Sequence, residues 1–159
     1  MVEEFTEIYL KYSDKIFRFL YWHLKDVPRA EDLTSEVFFK AFKKWKGFKE
    51  GYPQAWLFRI ARNLLIDFYR AKKTSSLELA EEISVDQDLV ENLEKDEAAQ
   101  SLQQALVKLP ENLREVVILR FFEDLSAAEV GAILGISEGN VRILQFRGLK
   151  KLKEELNGQ

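Results

Sequence analysis

Apolar residues recur at helical spacing along almost the whole chain, and this periodicity is the feature that most restricts the fold. No segment alternates apolar and polar residues for long enough to predict a β-strand. The sequence therefore predicts an all-α fold. In the first stretch, over about five turns of helix, the periodic residues are Phe5, Ile8, Tyr9, Tyr12, Ile16, Leu20 and Leu24.

Local signals predict where the next two helices begin. Asp26 precedes the segment "VPRAEDL" and is expected to cap the second helix, with Pro28 in the first turn. The loop "KGFKEGYP" contains two glycines and ends at Pro53, which is expected to start the third helix. The second helix is expected to bury Ala30, Leu33, Val37, Ala41 and Trp45.

Composition divides the chain into two helical units and a linker. Residues 75–100 are acidic and poor in aromatic and apolar residues, which is typical of a linker. The units are then residues 1–74 and 101–159. Because each unit is small, each core is expected to depend on large aromatic side chains. Candidates for this role are Phe17, Trp45, Phe68 and Phe121.

The residue inventory excludes several classes of function. There is no cysteine, so thiolate metal sites and disulfides are excluded, and His23, the single histidine, is expected to have a packing or surface role. Glycine-rich phosphate loops and nucleophile elbows are absent. No apolar run approaches the length of a membrane span, and no signal peptide is recognisable. We therefore expect a cytoplasmic protein without membrane insertion, cofactor, metal or catalytic activity.

The net charge of -3 hides an uneven distribution. Residues 1–76 carry 15 basic and 10 acidic side chains, residues 77–99 carry 1 and 9, and residues 100–159 carry 8 of each. The segment 142–153 holds 5 basic residues and no acidic one. Two basic regions therefore flank an acidic middle, which is expected to lie across the first of them in the isolated protein and weaken its DNA binding.

The segment "AWLFRIARNLLIDFYR", residues 55–70, predicts a helix with one apolar and one cationic side. Guanidinium groups bind phosphates through paired hydrogen bonds, and an asparagine amide can donate to and accept from a base edge. The apolar side consists of Leu57, Ile60, Ala61, Leu64, Leu65 and Phe68. The cationic side, called the arginine face below, consists of Arg59, Arg62, Asn63, Arg70 and Lys73.

Aromatic residues near this helix strengthen a nucleic-acid interpretation. Phe48, Tyr52, Trp56 and Tyr69 offer rings on which unpaired bases can stack. Cations interleaved with aromatic residues suit single-stranded nucleic acid. The alternative is an ordinary solvated face on a helix that packs in a core.

The C-terminal unit carries the signals of a helix-turn-helix. Ser126 and Glu129 form a capping-box pattern, Gly135 stands at a helix C-terminus, and Ser137 is placed to cap the next helix. In that last helix, Val141, Leu144, Gly148 and Leu152 are expected to face inward. The outward side, suited to a DNA major groove, then presents Arg142, Ile143, Phe146, Arg147 and Lys150.

Three segments in order resemble the extracytoplasmic-function group of bacterial sigma factors. They are "AEDLTSEVFFKAFKKW", "AWLFRIARNLLIDFYR" and, after the acidic linker, "LPENLREVVILRFFEDLSAAEVGAILGISEGNVR". The resemblance implies a two-domain factor that binds core RNA polymerase and promoter DNA. Its first unit would bind the polymerase clamp and open the -10 element, and its second would read the -35 element. It also suggests an anti-sigma factor as a partner, which no residue of this chain identifies.

The resemblance implies roles for particular residues. Asp32 and Glu36 match the acidic positions of the clamp-binding helix, where Ser35 replaces a frequent glutamine. The loop 46–52 matches the one that captures a flipped -10 base. The implied -10 contacts are Lys46, Phe48, Tyr52, Trp56, Arg59, Arg62, Asn63 and Arg70. The implied -35 contacts are Ser137, Arg142, Ile143, Phe146, Arg147 and Lys150.

Residues 143–146 depart from the polar pattern that is common in the family's reading helix, so the sequence does not predict the preferred -35 element. Two other classes of protein remain as alternatives. A conventional helix-turn-helix regulator would bind a duplex operator alone, usually as a symmetric dimer. A carboxylate metalloenzyme would use Asp32, Glu36 and Asp67 around a divalent ion.

Overall fold

The computed structural model describes residues 2–47, 51–74 and 97–158, and the chain divides into two compact units, Met1–Asp86 and Gln87–Gln159. Within these described ranges the regular structure is helical and contains no strand, which confirms the predicted all-α fold. Phe48, most of the predicted linker and the contact proposed between that linker and the arginine face lie outside the described residues.

The first unit contains three long helices. They are α1 (Val2–Leu24), α2 (Val27–Lys43) and α3 (Pro53–Thr74), with a short 3-10 turn at Trp45–Gly47. Asp26 has an extended backbone and its carboxylate accepts a hydrogen bond from the Arg29 N–H at 3.2 Å, so the predicted N-cap of α2 is confirmed.

The core of the first unit lies where α1, α2 and α3 pack together. Phe19 and Phe58 are buried and meet edge to face, with ring centroids 5.1 Å apart. The sequence prediction missed both, and the aromatic residues that it placed in this core, Phe17, Trp45 and Phe68, are only half-buried. The fully buried residues are Ile16, Leu20, Ala30, Val37, Ala41, Leu57, Phe58 and Ala61.

His23 has the packing role that the sequence predicts. Its ring lies 4.9 Å from that of Phe19 and 5.0 Å from that of Trp22, in both cases edge to face. The His23 carbonyl accepts a hydrogen bond of 3.0 Å from the Tyr69 hydroxyl, so the end of α1 is tied to α3.

The second unit contains shorter helices and one long one. They are α4 (Glu97–Lys108), α5 (Glu111–Val117), α6 (Ala127–Leu134) and α7 (Glu138–Asn157), and α5 continues into a π-helical turn at Ile118–Phe122. Phe121 is 47% exposed, so its predicted place in the core is wrong. The fully buried residues are aliphatic instead: Ala105, Leu106, Val116, Val117, Ile118, Leu119, Leu125, Val130 and Val141.

Close packing in this unit depends on two buried glycines. A Cβ at Gly148 would lie 2.7 Å from Val117 Cγ2 and 3.3 Å from the Leu113 carbonyl oxygen, so α5 and α7 approach closely there. A Cβ at Gly131 would lie 2.7 Å from the Ile136 carbonyl oxygen. Both 2.7 Å distances are below ordinary contact. A side chain at Gly148 would displace the Val117 side chain, and one at Gly131 would force the backbone at Ile136 away.

Candidate nucleic-acid and partner interfaces

The predicted clamp-binding residues lie on one exposed side of α2. Asp32, Ser35 and Glu36 are all exposed and follow the spacing that places residues on one helix face. The Glu36 carboxylate lies 4.0 Å from Lys40 Nζ one turn later, and both side chains are about half exposed. Such an exposed pair is weak. The carboxylates therefore remain accessible to a partner.

Two exposed aromatic residues continue this side of α2, and the sequence analysis did not identify them as candidates. Phe39 is 59% exposed, with Lys43 Nζ 4.5 Å from its ring centre. Phe42 is 49% exposed and its ring lies 5.1 Å from that of Phe5. Phe39 and Phe42 follow Ser35 and Glu36 at intervals of three to seven residues. This helical spacing was the sequence signal that could have placed them on the same face. Together Asp32, Ser35, Glu36, Phe39 and Phe42 form the α2 face.

Asp32, Glu36 and Asp67 were also the candidate metal ligands. Across the described ranges, no three histidine, cysteine, aspartate or glutamate side chains come close enough together to form a metal-ligand set.

The arginine face of α3 is largely exposed. Arg59, Asn63 and Arg70 project opposite the buried side of the helix, and Asn63 lies one turn from Arg59. Arg62 is half-buried and lies at the border of the face. The side chain of Lys73 lies outside the described residues. The three exposed side chains therefore form the central strip of this face.

Aromatic residues lie at the N-terminal end of the arginine face. Trp56 is half-buried, and its ring is 6.3 Å from that of Trp45. Tyr52 is 53% exposed, and Lys46, in the 3-10 turn, is also exposed. Tyr69 differs from these, because its hydroxyl bonds the end of α1. Of the predicted stacking residues within the described ranges, Tyr52 presents the most exposed ring.

The predicted helix-turn-helix is formed by α6 and α7. Ser126 and Glu129 form both hydrogen bonds of the capping box, each 3.1 Å long. Gly135 ends α6 in the left-handed conformation, with a φ of 72°, and its N–H donates to the Gly131 carbonyl at 2.8 Å. The Ser137 hydroxyl accepts from the Asn140 N–H at 3.1 Å and caps α7. These local bonds set the start of both helices.

Helix α7, called the recognition helix below, has the predicted inner and outer sides. Val141, Gly148 and Leu152 are buried, and Leu144 is half-buried. The outer side chains are exposed, and they line one shallow surface depression. They are Arg142, Ile143, Phe146, Arg147 and Lys150.

Arg120 supports the recognition helix, and the sequence analysis did not identify it. Its Nη1 donates to the Leu125 carbonyl at 2.6 Å and its Nε donates to Gln145 Oε1 at 2.9 Å. One guanidinium group therefore joins the π-helical turn, the loop before α6 and the middle of the recognition helix. No sequence signal identifies such a link, because its partners are 5 and 25 residues away.

Comparison with known proteins assigns both units to one family. Residues 8–74 match the family model for sigma-70 region 2, and residues 105–154 match that for sigma-70 region 4. The chain is 34% identical to the ECF RNA polymerase sigma factor SigW of Bacillus subtilis, an alignment that covers 97% of this chain and 89% of SigW. It is 31% identical to SigM of the same organism, over 95% of this chain and 94% of SigM.

Solved structures share the fold. The sigma factor RpoE of Bartonella quintana, in complex with the anti-sigma factor NepR, aligns with a TM-score of 0.72 and 23% identity over 98% of each chain. CnrH, in complex with the cytosolic domain of CnrY, aligns with a TM-score of 0.74 and 21% identity over 100% of this chain and 91% of CnrH.

None of the helices in the described ranges combines the length and apolar character that crossing a membrane requires. The chain belongs to the extracytoplasmic-function group of the sigma-70 family and is a transcription-initiation factor that recognises promoters in association with RNA polymerase.

Proposed function

We propose that the two units divide promoter recognition between them. The first unit, residues 1–74, binds core RNA polymerase and the -10 element, and the second, residues 101–159, binds the -35 element. The observation that supports this division most strongly is the different chemistry of the two surfaces. The arginine face carries an amide besides its cations and has aromatic rings at its N-terminal end, whereas the outer side of the recognition helix combines cations with apolar groups.

We propose that the α2 face contacts the polymerase clamp. Its carboxylates, at Asp32 and Glu36, are exposed, and that of Glu36 is only weakly paired with Lys40. A basic partner can desolvate them and form charge-assisted hydrogen bonds, which are stronger than neutral ones. The neighbouring rings of Phe39 and Phe42 add apolar area that would be buried in the same contact.

We propose that the arginine face holds the separated strand of the -10 element. Extruding a base costs a few kcal/mol, which stacking and amide hydrogen bonds must offset. Tyr52 and Trp56 provide rings at one end of the face, and Asn63 provides the amide. Arg59 and Arg70 are exposed on either side of Asn63 along the helix and suit the phosphates of that strand.

We propose three further properties that follow from this role. The chain acts in the cytoplasm, where core polymerase and promoters are found, and it contributes binding surfaces and no catalytic group of its own. It is regulated by an anti-sigma factor. The family resemblance supports this partner, and the RpoE and CnrH structures are complexes with a partner protein, NepR and CnrY respectively.

A run-off transcription assay tests the proposed function. Core polymerase is incubated with linear promoter fragments randomised across the -10 and -35 elements, with and without the full chain. We expect discrete transcripts only when the chain is present, and we expect the transcribed templates to share two separated sequence elements. A single shared element, or transcripts that do not depend on the chain, would contradict the division between two units.

A further inference from the structure

The outer side of the recognition helix is apolar at Ile143 and Phe146. At about 100° per residue, Ile143, Phe146 and Lys150 lie opposite the buried side of the helix, with Lys150 one turn beyond Phe146, while Arg142 and Arg147 lie toward its two flanks. Ile143 is 50% exposed and Phe146 is 70% exposed. Between residues 143 and 146, the side chains that point outward therefore have no hydrogen-bonding group.

The two residues between them are directed elsewhere. Leu144 is half-buried toward the core of the unit. Gln145 is also half-buried, and its Oε1 accepts the 2.9 Å hydrogen bond from Arg120. Both side chains are turned away from the outer side of the helix, and the Gln145 carbonyl oxygen is already engaged by Arg120. Among residues 143–146, only Ile143 and Phe146 are free to reach a groove.

The cations around this apolar surface indicate which kind of partner covers it. The depression that contains Ile143 and Phe146 is also lined by three cations, Arg142, Arg147 and Lys150. The Arg142 Nη2 donates a hydrogen bond to Glu138 Oε1 at 2.7 Å. Cations on both flanks of this apolar pair, with Lys150 one turn beyond it, complement the phosphates that border a DNA major groove. The apolar group that a major groove offers is the C5-methyl of thymine.

We propose that Ile143 and Phe146 determine -35 specificity by contacting thymine methyl groups. The inference rests on the proposed assignment of the second unit to the -35 element. The two residues are separated by about 4.5 Å along the helix axis, which is close to the 3.4 Å spacing of bases along one strand. They therefore reach neighbouring base pairs, and the -35 element carries thymine at one or two adjacent positions.

Replacement of thymine by deoxyuridine tests this directly. Holoenzyme is reconstituted from core polymerase and the full chain, and its best -35 element is selected from randomised duplexes. Each thymine of that element is then replaced singly by deoxyuridine, which keeps the base pair and the O4 acceptor and removes only the methyl. We expect about a fourfold loss of affinity at one or two adjacent positions, which corresponds to the burial of one methyl group.

Variants of the chain link this loss to the two side chains. Ile143→Ser and Phe146→Ser should each make the holoenzyme indifferent to deoxyuridine at one position. Lys150→Gln should weaken binding to both DNAs by the same factor. Val107→Ser is the matched control, since Val107 is an equally exposed apolar residue on α4, 59% exposed, and this variant should keep the full thymine preference.

The possible outcomes distinguish a failure of methyl reading from a failure of the proposed function. If a -35 element is selected but contains no thymine, or if deoxyuridine has no effect at any position, methyl reading is overturned and the promoter assignment stands. Equal losses on both DNAs in the Ile143 and Phe146 variants would overturn it too, and would indicate another occupant such as a protein partner. If no -35 element is selected at all, the proposed function of the second unit is itself wrong.

Discussion

Asn63 and Arg147 offer DNA different chemistry. The Asn63 amide is exposed on the arginine face and can form two hydrogen bonds with the edge of one base. The Arg147 guanidinium is exposed on the recognition helix, next to side chains without hydrogen-bonding groups. We therefore assign base reading to Asn63 and phosphate contact to Arg147.

Asn63→Ala should lose discrimination at a single position of the -10 element. We expect about 1 to 3 kcal/mol, the contribution of one good amide contact with a base. The measurement is holoenzyme affinity for promoters that differ by one base pair within the -10 element. Equal weakening on every variant would contradict a reading role for Asn63.

Arg147→Ala should weaken binding to every promoter by the same factor. Loss of one phosphate contact on duplex DNA should reduce the slope of log affinity against log salt by about 0.9. Titrations at several salt concentrations measure this slope. A change of preference at one -35 base pair with an unchanged slope would show that Arg147 reads a base.

Asp32→Ala combined with Glu36→Ala should weaken binding to core polymerase and leave the fold intact. Charge-assisted hydrogen bonds contribute about 1.5 to 3 kcal/mol each when they are desolvated. Fluorescence titration of core polymerase into the labelled chain measures the affinity. Glu3→Ala combined with Glu7→Ala is the matched control, because these are exposed carboxylates at the same spacing on α1. Equal affinities for both double variants would refute the assignment of the α2 face.

At the scale of the elements, the helix ends were predictable because their signals are local. The Asp26 cap, the Ser126 and Glu129 capping box, and the left-handed Gly135 each depend on residues within four positions of one another. The hydrogen bonds that they make are the same in any fold that contains the helix. The sequence therefore identified these features without knowledge of the tertiary structure.

Phe121 was placed in the core for its size, but it lies in the π-helical turn that ends α5. In the π-helical turn the Glu123 N–H donates to the Ile118 carbonyl at 3.0 Å, five residues back, so the turn holds an extra residue. Phe121 and Phe122 occupy the end of this turn, and each is 47% exposed. The size of an aromatic side chain therefore did not indicate burial here, and the core is filled by aliphatic residues.

Gly131→Ala should destabilise the helix-turn-helix. The added Cβ would lie 2.7 Å from the Ile136 carbonyl oxygen, and backbone atoms on both sides must shift to relieve the contact. We expect a loss of about 1 to 3 kcal/mol in the free energy of unfolding, as for other overpacked sites. Urea unfolding followed by circular dichroism measures it.

Gly139→Ala is the control for this substitution. Its Cβ would meet only Ser137 Oγ, at 4.0 Å, and alanine favours helix, so this variant should be neutral or slightly more stable than the native chain. If the two variants unfolded at the same urea concentration, the close approach at Gly131 would not contribute to the stability of the helix-turn-helix.

At the scale of the whole molecule, both candidate DNA-binding surfaces were predictable from charge and periodicity. The arginine face and the outer side of the recognition helix follow from which residues share a helix face. The remaining features depend on tertiary packing. Phe39 lies on a side of α2 that the neighbouring helices leave exposed, and Phe42 lies at the edge of the contact with α1. Arg120 reaches Gln145 across 25 residues.

The two matched regions also separate the alternatives. A helix-turn-helix regulator accounts for residues 105–154 but gives no role to residues 8–74, which match sigma-70 region 2. A chain with both regions can contact a promoter at two places while it is bound to polymerase. We therefore propose that each unit recognises its own promoter element.

Holoenzyme affinity for promoters that lack one element tests this division of recognition between the two units. The measurement compares the native chain, Asn63→Ala and Arg147→Ala on the complete promoter, on DNA truncated so that the -35 duplex is missing, and on DNA in which the -10 element is replaced by an unrelated sequence. We predict that the Asn63→Ala penalty persists without the -35 element and disappears without the -10 element, and that the Arg147→Ala penalty does the reverse. Penalties of the same size on all three DNAs would contradict the division of recognition between the two units.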